Sequence, residues 1–444
     1  MRLGWAGIDL WKDATARPMT PETPDAAKRN VPVLTGQSIM SQVAWTLGSP
    51  SVVLPFLAVS FELPMFVAGA LVSVRMVGSM ISDFFLAQSV AAKSQKKRAI
   101  ALTEAVIGAC LVTAMAAAAT GIVPLIAVIF VSVFFVIGLV DEVQNLMFTD
   151  LLGDHLHSRS RMVMQYLQLG GGGLCAIGLA LLVHQITKEN PPFSRHSTMI
   201  GVSVAFFMFS GLLMLAMTEN AGTAEPAKKA ETKPKLSFRA NVQGILSMFE
   251  FPWFRRFMIM RMPLVAVTLS VPFFALIAAE AHHSSAQGLT AMIVSSASGY
   301  LVSGPLWQFV NMKSHRAVMM VGTLMVAATG SVLLAFHFLG IDHDVHLHAI
   351  ALFVVTVAVT GISSARKLYF LDIAPKDLRV QGTAAVKSIT RLSAVLLSAA
   401  LAAVAHMHEV ALAVAFIVAA SLVSCVTCYR MMEPVREDVS QPQE

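Results

Sequence analysis

What most constrains this chain is a series of apolar runs, each about twenty residues long, that recurs from near Val31 to near Tyr429. That is the length a helix needs to cross the ~30 Å hydrocarbon core of a bilayer. Composition points the same way. Of 444 residues, 56% are hydrophobic and 13% charged, about half the charged share of a soluble domain. A single soluble core also stops growing near ~250–300 residues. The chain reads as an all-α integral membrane protein of about twelve transmembrane helices.

The spans fall near 32–58, 63–84, 99–119, 122–145, 162–186, 197–217, 255–279, 287–310, 317–340, 347–371, 381–405 and 409–429. Only Thr120 and Gly121 divide the third from the fourth. The first thirty residues are polar, and the run after them is too long for the core of a cleavable signal peptide. Lys and Arg set the orientation. One side collects Lys93, Lys96, Lys97, Arg98, Arg159, Arg161, Arg255, Arg256, Lys313, Arg316, Lys376, Arg379 and Arg430, while the other holds only Lys188 and Arg195. The basic side is expected to be cytoplasmic, with both termini there. The net charge of +6 is then a topology signal, and nucleic acid is not an expected partner.

One long polar interruption divides the spans six and six. Residues 218–253 begin with a linker-like composition of Ala, Lys, Glu, Thr and Pro. They end with Phe238, Val242, Ile245, Leu246 and Phe249 at helical spacing, the pattern of an amphipathic helix on the membrane surface. The expected organisation is a cytoplasmic tail 1–31, a six-helix bundle 32–217, a linker 218–253, a second six-helix bundle 254–430 and a tail 431–444.

The two halves repeat. Leu146, Phe148 and Asp150 recur as Leu368, Phe370 and Asp372, offset by 222 residues. Gly78 and Ser82, followed by Lys93 and Arg98, recur as Gly299 and Ser303, followed by Lys313 and Arg316, at offsets of 218 to 221. On these motifs, the six-plus-six spans and the basic central loop, the chain resembles the major facilitator superfamily over roughly residues 30–430. The resemblance implies two pseudo-symmetric bundles that rock around a central cavity. The family's usual loop pattern is a Gly, an Asp four residues on, then basic residues. Here Asp83 comes five residues after Gly78, and Asn311 stands near the second acid position. The fifth span carries Gly170 to Gly173 and lacks the Gly-Pro pair of the family's antiporters. Those glycines suit close helix packing.

Ionisable groups inside spans are costly and mark function by default. The bases are Arg75, Arg261, Arg366, Lys367, Lys387 and Arg391; the acids are Asp83, Glu104, Asp141 and Glu142. Arg75 and Arg391 lie near mid-membrane, with Lys387 one turn from Arg391. These three are the candidates for binding an anionic solute, unless Arg75 pairs with Asp141 or Glu142 and Arg391 with a neighbouring carbonyl. By the repeat, Asp141 and Glu142 stand about one turn from the positions matching Arg366 and Lys367. That suggests a salt bridge closing the cytoplasmic gate, and Asp83, Asp150 and Asp372 belong to the same gate or coupling set. Asp141, Glu142 and Glu104 are the candidates for a coupled proton.

Ten of the thirteen histidines fall at the outer ends of spans. His343, His346 and His348 have metal-ligand composition; external pH sensing and a plain polar loop that avoids Lys and Arg are the other readings. Cys110, Cys175, Cys425 and Cys428 lie in apolar segments, and no cofactor is expected. Enzymatic motifs are absent. The function that emerges is secondary transport of a small solute, an organic anion first, by a monomer in a bacterial inner membrane. Efflux of a neutral or amphiphilic compound, or a non-transporting assembly factor or receptor of the same fold, are the alternatives.

Overall fold

The computed structural model describes residues 24–86, 95–155, 158–218, 238–311, 313–341, 343–375 and 377–431. Ten helices among them are long and apolar enough to cross a membrane. In chain order the helices are α1 (Pro24–Leu47), α2 (Val53–Ser60), α3 (Met65–Ile81, running into a π-helical turn Ser82–Leu86), α4 (Lys96–Ala118), α5 (Val123–His155), α6 (Ser158–Thr187) and α7 (Pro192–Leu215). After the short helix α8 (Phe238–Ser247) come α9 (Pro252–Thr268), α10 (Ser270–His282), α11 (Gly288–Asn311), α12 (His315–Phe338), α13 (Val345–Ile373), α14 (Arg379–Met407) and α15 (Val410–Tyr429).

Two breaks have a covalent cause. Pro50 removes a backbone donor and pushes Ser49 out of the helical region, so α1 stops at Leu47 and α2 starts at Val53. Pro272 cannot donate to Thr268, and α9 ends at Thr268. The two ends, Leu47 and Thr268, are 221 residues apart, the spacing of the sequence repeat. The turns after α4 and α12 repeat as well. Each uses a glycine in the left-handed region, Gly121 at φ 67° and Gly340 at φ 68°, a conformation that costs a residue with a Cβ.

The two halves meet along two antiparallel seams. On the first, α3 faces α14 through Gly69 against Ala402, Ser73 against Ser398, Ser79 against Arg391 and Asp83 against Lys387. On the second, α6 faces α11 through Gly173 against Ala297, Gly170 against Leu301 and Tyr166 against Gly304. The two residue numbers of every pair have the same sum to within one. A single sequence shift therefore carries one seam onto the other, as a two-fold relation between repeats requires. The glycine run is shared out along α6. Gly171 and Gly172 face Ile39 and Gln42 of α1, while Gly170 and Gly173 face α11.

The core lies between the seams. Val53 to Val59 of α2 and Val271 to Ala279 of α10 are buried, and these two helices pack on each other. Of the apolar window spanning α9 and α10, 83% is buried within the protein, against 28–50% for the other nine. That segment is enclosed by protein where its neighbours expose an apolar face.

Candidate functional site

Six of the ionisable residues singled out within spans, Arg75, Lys387, Arg391, Asp83, Asp141 and Glu142, converge where α3, α5 and α14 meet. Lys387 Nζ donates to Asp83 Oδ1 and to Glu142 Oε1, each at 2.8 Å. Arg391 donates from Nη2 to Glu142 Oε2 at 2.5 Å, from Nη1 to Asp83 Oδ2, and to the carbonyl of Ser79 at 3.2 Å. Lys387 and Arg391 are one turn apart on α14, so two cations grip two acids in a closed square. The Glu142 side chain is 8% exposed and that of Arg391 20%. Charges this sheltered persist only when paired.

Arg75 stands beside this square within the first half. Its Nη2 lies 2.6 Å from Asp141 Oδ2, and its guanidinium sits 5.8 Å above the Trp45 ring, in cation–π range. Local packing brings the partners together. Gly78 and Gly138 let α3 and α5 approach until backbone touches backbone, with Gly138 against the Arg75 carbonyl. The cluster as a whole carries three positive and three negative groups and is neutral.

Asp150 and Asp372 act within their own halves. Asp150 pairs with Lys96 at the start of α4 at 2.6 Å, and Asp372 with His315 at the start of α12 at 3.4 Å. These contacts are repeat equivalents, clasping the end of one long helix to the start of its neighbour. Arg366 and Lys367 form no ion pair with Asp141 or Glu142; those acids are held by Arg75, Lys387 and Arg391.

Glu104 is fully buried. Its Oε1 accepts from Gln37 Nε2 at 2.8 Å and Gln144 Nε2 at 2.9 Å, and Ser41 and Ser210 face it too. Its neighbours among the described residues are amides and hydroxyls. Trp45, Gln37 and Gln144 escaped the sequence reading because uncharged side chains in apolar runs give no periodic signal.

At the opposite end of the helices the histidines divide. His343 and His346 are exposed, and Asp344 caps α13 by accepting from the His346 backbone at 2.8 Å. His348 is buried and faces His282, with Nε2 of His282 3.0 Å from Nδ1 of His348. Among the described residues no three His, Cys, Asp or Glu side chains are grouped to hold a metal.

A polytopic helical protein with repeated halves, joined by two antiparallel seams of which one carries a partly buried ion cluster, is the class this architecture defines. Residues 262–444 match the Major Facilitator Superfamily. Among solved structures the fold is similar to the nucleoside transporter NupG, at 12% identity and TM-score 0.64, over 90% of this chain and 99% of that one. It is also similar to a D-xylose–proton symporter, at 12% identity and TM-score 0.63, over 90% and 97%. Uncharacterised proteins of Mycobacterium tuberculosis and Mycobacterium bovis are 22% identical over 394 residues, covering 86% of this chain and 73% of theirs. The chain is a multi-pass helical membrane protein, and its second half, residues 262–444, is similar to the Major Facilitator Superfamily.

Proposed function

We propose that this protein is a secondary active transporter that moves a small solute, an organic anion, across a bacterial inner membrane by alternating access. In this reading twelve spans form two six-helix bundles, 32–217 and 254–430, joined by the linker 218–253. The tails 1–31 and 431–444 lie on the cytoplasmic side with the basic helix ends. α1 with α2 is the first span, α3 with its π turn the second, and α9 with α10 the seventh.

The observation that carries the reading is the bridge of Asp83 and Glu142 to Lys387 and Arg391 across the α3–α14 seam. Toward the basic ends the halves are joined by ion pairs, whose partners water or a solute can replace. Toward the histidine end they are joined by apolar packing of α2 on α10. When the bridge opens, Lys387 and Arg391 lose their acids and present two positive charges. An anionic solute then takes the place the carboxylates held. Glu104, buried among neutral partners, is the acid we assign to a coupled proton, since Asp141 and Glu142 are engaged by cations.

The test is flux in proteoliposomes. Ser73 Oγ and Ser398 Oγ are 2.5 Å apart, so cysteines placed there can be oxidised to a disulfide. Labelled organic anions should exchange across the membrane, oxidation of Ser73→Cys/Ser398→Cys should stop the exchange, and reductant should restore it. Full flux through the cross-linked protein would overturn the mechanism. Flux of neutral amphiphiles alone would overturn the anion assignment.

A further inference from the structure

Arg261 on α9 and Arg366 on α13 stand apart from the neutral cluster. Arg261 is 7% exposed. Its Nη1, and that of Arg366, are buried without a hydrogen-bond partner. Neither side chain has an ion pair among the described residues, and the residues one turn from each, Phe257 and Phe370, meet at 5.1 Å, which brings the two arginines onto adjoining faces of α9 and α13. Buried guanidinium groups are normally paired or saturated with hydrogen bonds, because a bare charge in a low-dielectric interior is among the most expensive features a fold can hold. Arg366 as a residue is half-buried, but its Nη1 is as enclosed as that of Arg261, and two like charges so placed call for a counter-charge.

The surroundings form an enclosure. One turn from Arg261 toward the basic end is Phe257, and one turn from Arg366 is Phe370. The Phe257 ring stacks on Tyr369 at 6.4 Å and meets Phe370 edge-on at 5.1 Å. Trp253 closes on Phe370 at 5.9 Å, and both, with the fully buried Met248 just after α8, gather over Gly382 of α14. The arginines therefore lie behind an aromatic seal. On the other flank, Lys367 lies within electrostatic reach of Lys387, a member of the bridge between halves.

We propose that Arg261 and Arg366 form a binding site for an oxyanion, a carboxylate or phosphate group, held between α9 and α13 behind the Trp253–Phe257–Tyr369–Phe370 seal. Guanidinium forks match such groups with paired donors, and a bound oxyanion supplies the missing charge and acceptors together. The site is distinct from the place between Lys387 and Arg391 assigned to the solute above, and it rests on the transport reading for what the anion is, not for whether one binds.

The experiment uses the full-length protein, purified in neutral detergent and stripped of anionic lipid. Thermal melts are recorded with inorganic phosphate, with citrate, and with chloride at matched ionic strength. Phosphate or citrate should raise the melting temperature saturably where chloride does not. Arg261→Gln and Arg366→Gln should each abolish the rise, while Arg255→Gln, at an exposed position on α9, should retain it. In anion-free buffer both glutamine variants should melt no lower than the wild type, since each removes one of two repelling charges. A structural arginine would give the opposite sign. Melts unmoved by either oxyanion and by phosphatidylglycerol, or moved equally in the variants, overturn the site. A rise produced only by added phosphatidylglycerol, and lost in both variants, keeps the oxyanion chemistry and assigns the occupant as a lipid headgroup. An arginine-dependent rise without flux in proteoliposomes would sink the transport reading and leave the site standing.

Discussion

Arg391 and Glu142 meet at 2.5 Å although 249 residues separate them. Arg391 belongs to α14 in the second half and Glu142 to α5 in the first. Their contact, with the parallel one between Lys387 and Asp83, joins the halves at a point that must part if the protein opens toward its basic end. A bridge of this kind is strong while closed to water and weakens sharply once wet, which is the behaviour a reversible closure needs.

Breaking it from one side should be costly. Glu142→Gln leaves Arg391 under-compensated in a sheltered site, and loss of one partner of a buried pair typically costs about 3–5 kcal/mol. Glu142→Gln/Arg391→Gln removes both charges, so the double variant should melt higher than either single one. Thermal melts of the four proteins in the cycle check this.

The Arg75–Asp141 pair has a different role, because both residues are in the first half. Arg75→Gln and Asp141→Asn should each lower the melting temperature, with partial recovery in the double variant. Neither should expose the α3–α14 seam to thiol reagents. Exposure equal to that caused by Glu142→Gln would place this pair in the gate.

The two clasps should matter little. The Asp150 side chain is 51% exposed and that of Asp372 40%, and exposed pairs are worth about 1 kcal/mol or less. Asp150→Asn and Asp372→Asn should shift melting by a small amount, well short of the effect of Glu142→Gln.

Backbone contact gives a sharper contrast. A methyl group at Gly138 would meet the Arg75 carbonyl, with its carbon at 2.8 Å, whereas one at Gly178 meets nothing within 4 Å. Gly138→Ala should force α3 and α5 apart and lower folded yield, measured by size-exclusion chromatography, while Gly178→Ala leaves it unchanged.

Much of this was legible in the sequence because it rests on local signals. Apolar run length gave the helices, and Gly121 marked the turn after α4. The Asp150 and Asp372 repeat pointed to equivalent places, though not to their partners Lys96 and His315. The division of the spans at Pro50 and Pro272 was present as proline chemistry but lay inside runs that hydropathy treats as continuous. Which acid meets which base was legible only in part: Arg75 was open to Asp141 or Glu142 and meets Asp141, and Arg391 does reach a carbonyl, but the grip of Lys387 and Arg391 on Asp83 and Glu142 was not foreseen. Asp141 and Glu142 are neighbours in sequence on one helix, yet they turn to Arg75 and to the Lys387–Arg391 pair. That choice is set by helix rotation and by the register of the α3–α14 seam. Arg261 was counted among the costly charges, but its lack of a partner is a property of three-dimensional packing alone.

The most direct test of the central claim is thiol accessibility at Ser73. Ser73 is 6% exposed and its partner Ser398 fully buried, midway along the seam the bridge is held to close. A Ser73→Cys chain, with the four native cysteines replaced by alanine, is treated with a membrane-impermeant maleimide from each side of the membrane. The account predicts little labelling in the otherwise unaltered protein and strong labelling from the basic side once Asp83→Asn and Glu142→Gln are added. Labelling unchanged from both sides, in a variant that still folds, would contradict the claim that this bridge closes the seam.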